Sequence, residues 1–522
     1  MEEKPRTLQL KRWQIISLAL LVLAAIGLII CSVIYFKLDS IIEKNIRSQS
    51  YLEPGTVLYE KWTNPKYNME TRIWIYSVKN PDHILNNSKP ILKTTGPYVF
   101  DQVHRRKVNE FVNSTLSYET ISVYNFNENK SCPECFLYNR VWIPNMVYQK
   151  FIEAASRPAI KAATAALLVQ TPFLEVEVSE LLFDGYIDPF LDQVCGLPFV
   201  DFVCESLLDL PERIGFFWGK NTSSSGTFVV KSGRENENEI GSIMSWNGQD
   251  KLSKNWWRSE KAREVRGTDG SIVHPYIRKD ENLTVFVKDL CRSVDLVFKE
   301  EVDYKGITAY RYIFPASGLD SSLEENQGYC NDNNKTFYEG QPKRCLPNGL
   351  LDLSRCQKGE PPVVFSLPNF LYAPKYVQDS VIGLEKPDPD RDEIQLDFEP
   401  RLGSLFRAAR RSQVNVAMWK GDGVSIPGVN LSNFHNVIVP VIKIEDYIEM
   451  DDTTLEFIKR DLVNMEHMVR VFTIVGIITA LLLGALVGLF CLYKSGRFHR
   501  QYAVSSQEST KNNQNVNGKT IT

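Results

Sequence analysis

Histidine is scarce in this sequence. There are six in 522 residues, and His83, His104, His274, His435, His467 and His499 are scattered along the chain. They form no H-E-x-x-H pair and no metal-ligand spacing, which removes the zinc-hydrolase class. A G-x-S-x-G elbow and a Gly-rich phosphate loop are also missing, so neither a serine hydrolase nor a nucleotide-dependent enzyme is indicated and no cofactor is called for. An excess of one charge is absent too. The 60 Lys and Arg against 63 Asp and Glu leave a net charge of −3, which argues against nucleic acid as a partner. Internal repeats and long linkers are lacking. The acidic "DPDRDE" at 388–393 has neither the Gly nor the distal Glu of a calcium loop and reads as a solvated turn.

Charge is missing altogether from two long stretches. "WQIISLALLVLAAIGLIICSVIYF" runs from Trp13 to Phe36, and "VFTIVGIITALLLGALVGLFCLY" from Val471 to Tyr493. As helices each spans roughly 35 Å, enough to cross a bilayer core. No small-x-small cleavage site follows the first run, so it reads as an uncleaved signal-anchor. Lys4, Arg6, Lys11 and Arg12 precede the first run, and Lys494, Arg497 and Arg500 follow the second. The positive-inside rule then places both short tails in the cytosol. The expected organisation is a tail at 1–12, a span at 13–36, an extracytoplasmic body at 37–470, a span at 471–493 and a tail at 494–522. Within the last, "SSQESTKNNQNVNGKTIT" at 505–522 is polar and poor in apolar residues and reads as disordered.

Of ten cysteines, Cys31 and Cys491 lie in the apolar runs and the rest lie in the body: Cys132, Cys135, Cys195, Cys204, Cys291, Cys330, Cys345 and Cys356. An even number in an oxidising compartment suggests a disulfide framework. "CPEC" at 132–135 has the redox spacing but no βαβ context, and reads as a small structural bridge. The body also carries N-x-S/T sequons, candidates for glycosylation, at Asn86, Asn113, Asn129, Asn221, Asn282, Asn334 and Asn430; roughly four would arise by chance, so they add only weak support. Cys491, near the cytosolic boundary, is a candidate for palmitoylation or an ordinary apolar thiol. Gly484 and Gly488 have the G-x-x-x-G spacing, which serves a homo-oligomer or simply reflects the frequency of glycine in membrane helices.

Short β-type runs dominate the body. "RIWIYSVKN", "GPYVF", "SGTFVVKSG", "AYRYIFP" and "VVFSLPNFLYA" are rich in Val, Ile, Phe and Tyr and are bounded by Gly, Pro or Asn. Tyr148 to Gln170 is Ala-rich and reads as helix interrupted at Pro158, and "DPFLDQVCGLPFVDFVCESLL" reads as a second helical stretch. The expectation is a β core with a helical insertion at about 148–210.

Six motifs occur in order: "GPYVF" at 96–100, "ELLFDGYIDPF" at 180–190, "GTDGS" at 267–271, "LCRSVDLVF" at 290–298, "LPNFLYA" at 367–373 and "LDFEPRLG" at 396–403, followed by "QVNV". With the two terminal runs, the chain resembles the class B scavenger receptors. The resemblance implies an α+β ectodomain with an antiparallel β-barrel core, a helical cap, and an internal apolar tunnel leading toward the bilayer, flanked by two transmembrane helices. It implies a non-enzymatic receptor at the plasma membrane for lipids, fatty acids or lipoprotein particles that transfers lipid to the membrane. Alternatives within it are a lysosomal or endosomal trafficking receptor for a protein cargo, and a phagocytic or adhesion receptor. The tail's lack of an acidic dileucine favours the surface. Cys291 and Cys356 match a family pair, and Cys330 and Cys345 fit members with two bridges in this region. An upstream cysteine that some relatives use is absent from "EKAREVRGTDG". Cys132 with Cys135 and Cys195 with Cys204 pair by proximity. The lysine cluster that relatives carry before the "ELL" motif is replaced by "ALLVQTPFLEVEV", leaving Lys150, Arg157 and Lys161 as the nearest cations for an anionic ligand, or as a solvated helix face.

Overall fold

The structure, a computed structural model, describes residues 12–156, 171–189, 191, 211–331, 335–339, 341, 345–425, 431 and 434–516. The chain divides into two compact units, Met1–Asn45 with Leu455–Thr522, and Ile46–Thr454.

The first unit is built on the two apolar runs. Helix Arg12–Gln49 and the helical stretch Asp452–Arg497 are each long and apolar enough to cross a bilayer. Leu23, Phe36, Leu482 and Leu486 are exposed, as side chains facing lipid are. Between the two helices, Trp13 meets Phe490 edge to face at 6.4 Å. A Cβ on Gly476 would lie 2.6 Å from the Cys31 sulfur, so this glycine permits the close approach. Gly484 and Gly488 have nothing within 4 Å of where a Cβ would stand, so the G-x-x-x-G pair does not serve this contact. Arg470 pairs with Asp39 and with Glu466 beyond the apolar stretches.

In the second unit the β-branched and aromatic runs form one antiparallel sheet. Its strands are β1 (Tyr67–Val78), β2 (Leu92–Val112) and β3 (Thr115–Phe126), then β6 (Ser224–Lys231), β7 (Ile243–Trp246), β8 (Leu283–Val287), β9 (Arg292–Tyr304) and β10 (Ile307–Ile313). They continue with β11 (Leu350–Asp352), β12 (Val363–Ser366), β13 (Gln395–Glu399), β14 (Ser404–Met418) and β15 (Val437–Met450). A separate ribbon pairs β4 (Arg140–Pro144) with β5 (Phe173–Glu177).

The large sheet runs β7-β6-β3-β2-β1-β15-β14-β13-β10-β9-β8, with β12 and β11 branching from β14. The first and last strands of the body are therefore neighbours, with Tyr67 opposite Met450 and Ile75 opposite Ile442. The sheet's two edges, β7 and β8, are joined by the "GTDGS" loop. Ile243 N–H donates to the Gly267 carbonyl at 2.7 Å, and Phe286 N–H donates to the Thr268 carbonyl at 2.9 Å. A Cβ on Gly267 would stand 2.2 Å from the Thr284 carbonyl oxygen, and its φ is +88°, so only glycine fits this clasp. The sheet is thereby a nearly closed barrel, with no free edge at the join.

Two stretches depart from the sequence reading. "VVFSLPNFLYA" is not one strand: β12 ends at Ser366 and the chain turns through Pro368–Phe370. Pro368 has no N–H to give a ladder, and Asn369 N–H donates to the Gln413 side chain at 2.8 Å instead. The helix expected from Tyr148 begins two residues earlier, Met146–Ala155, where the Asn145 side chain caps it by accepting from Tyr148 N–H at 3.0 Å. Residues 157–170 and nearly all of the second helical stretch lie outside the described residues.

Candidate functional site

Alternation along the strands fixes what faces the barrel interior. Tyr118 and Phe228 on one side share a contiguous core with Tyr312, Phe398 and Ile448 on the other. That face of β2 reads Tyr98, Phe100, Gln102, His104, Arg106 and Val108, and that of β3, paired with it, Phe126, Tyr124, Ser122, Thr120 and Tyr118. The same face of β1 reads Ile75, Ile73, Thr71, Met69 and Tyr67 against Ile442, Ile444, Asp446, Ile448 and Met450 of β15. On β14 it reads Val414, Ser412, Arg410 and Ala408. Each strand is apolar at its ends and polar near its middle.

Many of these inward side chains are not packed shut. Tyr67, Met69, His104, Ser122, Tyr124, Phe126, Arg410, Ser412 and Val414 all keep accessible surface. A close-packed interior would bury them, so the barrel encloses a lumen. At one end it meets an aromatic cluster. Phe183, carried in by the turn Glu180–Asp184 of the "ELLFDG" motif, lies 4.8 Å from Phe100, 5.3 Å from Tyr124 and 5.1 Å from Phe217. At the other end Trp62 meets Tyr118 at 4.8 Å, and Tyr118 meets Phe228 at 5.6 Å.

Between them lies a polar girdle. Arg106 donates to Asp269 and Ser271, both at 2.9 Å, and to the Trp62 carbonyl at 2.7 Å, while Tyr118 O–H donates to Asp269 at 3.1 Å. Burial alone would raise the Asp269 carboxyl; the Arg106 charge and the Ser271 hydrogen bonds outweigh it and bring the pKa down to about 2. His104 moves the other way from its usual value. Burial, then the charges of Arg410, Arg106 and Lys288, depress it to about 3, so its imidazole is neutral at physiological pH. Asp446 accepts from the Thr71 hydroxyl at 2.7 Å and is raised by burial.

The outer face of the same strands is charged and paired. Arg311 and Arg407 meet Asp397 at 2.8 and 2.6 Å, and Arg411 and Arg72 meet Glu445 at 2.7 and 3.1 Å. A cleft of about 770 Å³ opens there, with Lys443 4.1 Å above the Trp74 ring. Among the described residues no group of three His, Cys, Asp or Glu side chains is placed to hold a metal ion.

The CD36 family model matches residues 19–492. The chain belongs to the CD36 family. It is similar to lysosome membrane protein 2 of Rattus norvegicus, 30% identical over 448 residues that cover 84% of this chain and 86% of the relative. Scavenger receptor class B member 1 of the same organism is 27% identical over 472 residues, 88% of this chain and 86% of that one. Sensory neuron membrane protein 1 of Antheraea polyphemus is 27% identical over 452 residues, 83% and 82% of the two. The match takes in both terminal apolar helices, and this CD36-family chain is a two-pass membrane protein of the scavenger-receptor class.

Within the CD36-family body, Cys132 is bonded to Cys135, Cys291 to Cys356 and Cys330 to Cys345. Cys195 and Cys204 lie outside the described residues, and Cys31 and Cys491 carry free thiols. Asn86, Asn113, Asn129, Asn221 and Asn282 are exposed, while Asn334 and Asn430 lie outside the described residues. Asn221 already exchanges hydrogen bonds with the Tyr124 backbone at 3.0 and 3.3 Å.

Of the three candidate cations for ligand, Arg157 and Lys161 lie outside the described residues. Lys150 does not lie on a solvated helix face: it is 8% exposed, and its Nζ donates to the Glu360 carbonyl at 3.2 Å. The reason is that helix Met146–Ala155 is packed on nearly all sides, with Gln149 accepting from Trp419 N–H at 2.9 Å. Sequence reading missed the lumen's polar girdle. The adjacent pair Arg410–Arg411 held the clue, since two neighbours in a strand point to opposite faces.

Proposed function

We propose that this CD36-family protein is a cell-surface receptor that takes lipid from lipid or lipoprotein ligands and passes it to the bilayer through the barrel lumen. The observation that carries the reading is the accessible surface kept by inward-facing residues such as Tyr67, Met69, Phe126 and Val414. Moving an acyl chain of ~15 methylenes from lipid into water costs about 12 kcal/mol, so passive desorption is slow and a sheltered apolar route has value. β1 and β15 meet side by side at Tyr67 and Met450, so the chain enters and leaves the barrel at one end. That end is the one whose flanking chain leads to the two apolar helices.

The test is a plug. Ser412 is small and faces the lumen on β14. Ser412→Trp is expected to cut uptake of a labelled fatty acid or cholesteryl ester into expressing cells at least fivefold while surface binding of ligand holds. If uptake and binding fall in step across a set of such lumen plugs, the protein is a docking receptor.

A second reading has its own support. The relative 30% identical to this chain is named a lysosome membrane protein, and the same body would serve as a trafficking receptor for a protein cargo. Surface biotinylation beside lysosomal co-staining separates the two, with predominant biotinylation expected for the first.

A further inference from the structure

Several arginines of the barrel wall have a partner acid. Arg311 and Arg407 share Asp397, Arg411 has Glu445, and inward-facing Arg106 has Asp269. Arg410 has none. It faces the lumen, keeps accessible surface, and makes no hydrogen bond or ion pair among the described residues. The acid directly opposite it in the ladder, Asp446, is turned to the Thr71 hydroxyl instead, at 2.7 Å.

An unpaired guanidinium in a lumen with apolar ends is costly, and an anion that binds there recovers that cost. The fork of a guanidinium matches a carboxylate with two parallel N–H donors. On one side of Arg410 the wall continues as Ser412, Val414 and Ile444 toward the Phe100–Phe183 rings. On the other it continues as Ala408 and Ile448. A group with one anionic head and one long apolar tail suits this sequence of surfaces. His104, held neutral, adds a hydrogen-bonding group without a competing charge.

We propose that Arg410 is a binding subsite inside the barrel lumen for the carboxylate of a long-chain fatty acid, at which the head group halts while its tail lies along the apolar wall. This rests on the reading of the lumen as a lipid route and names the class of lipid that the route selects: a free acid is favoured over its neutral ester.

The experiment uses the full-length protein in phospholipid nanodiscs, with empty nanodiscs subtracted, and compares labelled palmitate with labelled methyl palmitate. Wild type is expected to prefer palmitate. Arg410→Gln is expected to weaken palmitate about tenfold to a hundredfold, the range of a charge-assisted hydrogen bond, and to leave methyl palmitate within about twofold. Arg410→Lys, which keeps the charge, should retain the preference, and intact ester binding certifies that each variant is folded. Unchanged palmitate affinity in Arg410→Gln overturns the subsite. A parallel loss of acid and ester overturns it too, because Arg410 would then only support the wall. Displacement of palmitate by millimolar acetate would reduce the site to one for any small anion. If both lipids bind equally to wild type and Arg410→Gln alters neither, the lumen route stands and the subsite falls. If neither lipid binds wild type, both fall.

Discussion

His104 is a neutral imidazole among cations, and that gives acid a direct hold on stability. Its folded pKa of about 3 lies below the ordinary 6.5, so the unfolded chain binds this proton first. The contribution is complete above about pH 6.5 and is lost as pH falls toward 3, with about 2 kcal/mol of it gone at pH 5. Asp446, raised by burial, works in the opposite sense as it protonates, while Asp269, held at about 2, loses its contribution only below about pH 4. His104→Gln is therefore expected to narrow the gap in Tm between pH 7.4 and pH 5, measured by differential scanning fluorimetry of the intact protein. An unchanged gap would assign the acid sensitivity elsewhere. None of this was legible in the sequence, because an isolated histidine in "DQVHRRKV" looks like part of a solvated strand. Arg106 is its near neighbour in sequence, but the largest charge, Arg410, reaches it from β14, and Lys288 from the loop before β9, both remote in the chain.

At the scale of elements, strands were the legible part. "RIWIYSVKN" lies within β1 but for its last two residues, "GPYVF" lies inside β2, and "AYRYIFP" follows β10, because alternating β-branched and aromatic residues have one buried face to satisfy. Strand partners were not legible, since a ladder is set by registers that no local pattern states. The Cys291–Cys356 bridge, closing 65 residues of sequence, ties the start of β9 to the turn before β12, and Trp257 Nε1–H donates to the Cys291 carbonyl at 2.6 Å. In the chain-entropy model such a bridge contributes about 4 kcal/mol. Cys291→Ser should accordingly hold the protein in the early secretory pathway with immature glycans, read as persistent sensitivity to endoglycosidase H. Normal maturation of that variant would make the bridge dispensable.

At the scale of the molecule, the two apolar runs were plain from sequence, as any charge-free helix of that length is, while the lumen was not. A residue lining a cavity and a residue filling a core are the same apolar letter in a strand. The orientation of the two spans carries its own prediction: epitope tags at both ends should stain only after permeabilisation, and a glycosidase should shift the mass through the exposed sequons Asn86, Asn113, Asn129 and Asn282. Staining of an N-terminal tag on intact cells would reverse the topology. The pairing of β1 with β15 also sets a schedule for synthesis. Tyr67 leaves the ribosome early, and its ladder partner Met450 is among the last residues of the body to be made. At roughly 5–20 residues per second the wait is tens of seconds. Throughout it the nascent chain holds β1 with one side unpaired, an open template for the wrong strand. A barrel in which β1 is flanked on both sides when finished thus passes through an interval in which one side of β1 stands open.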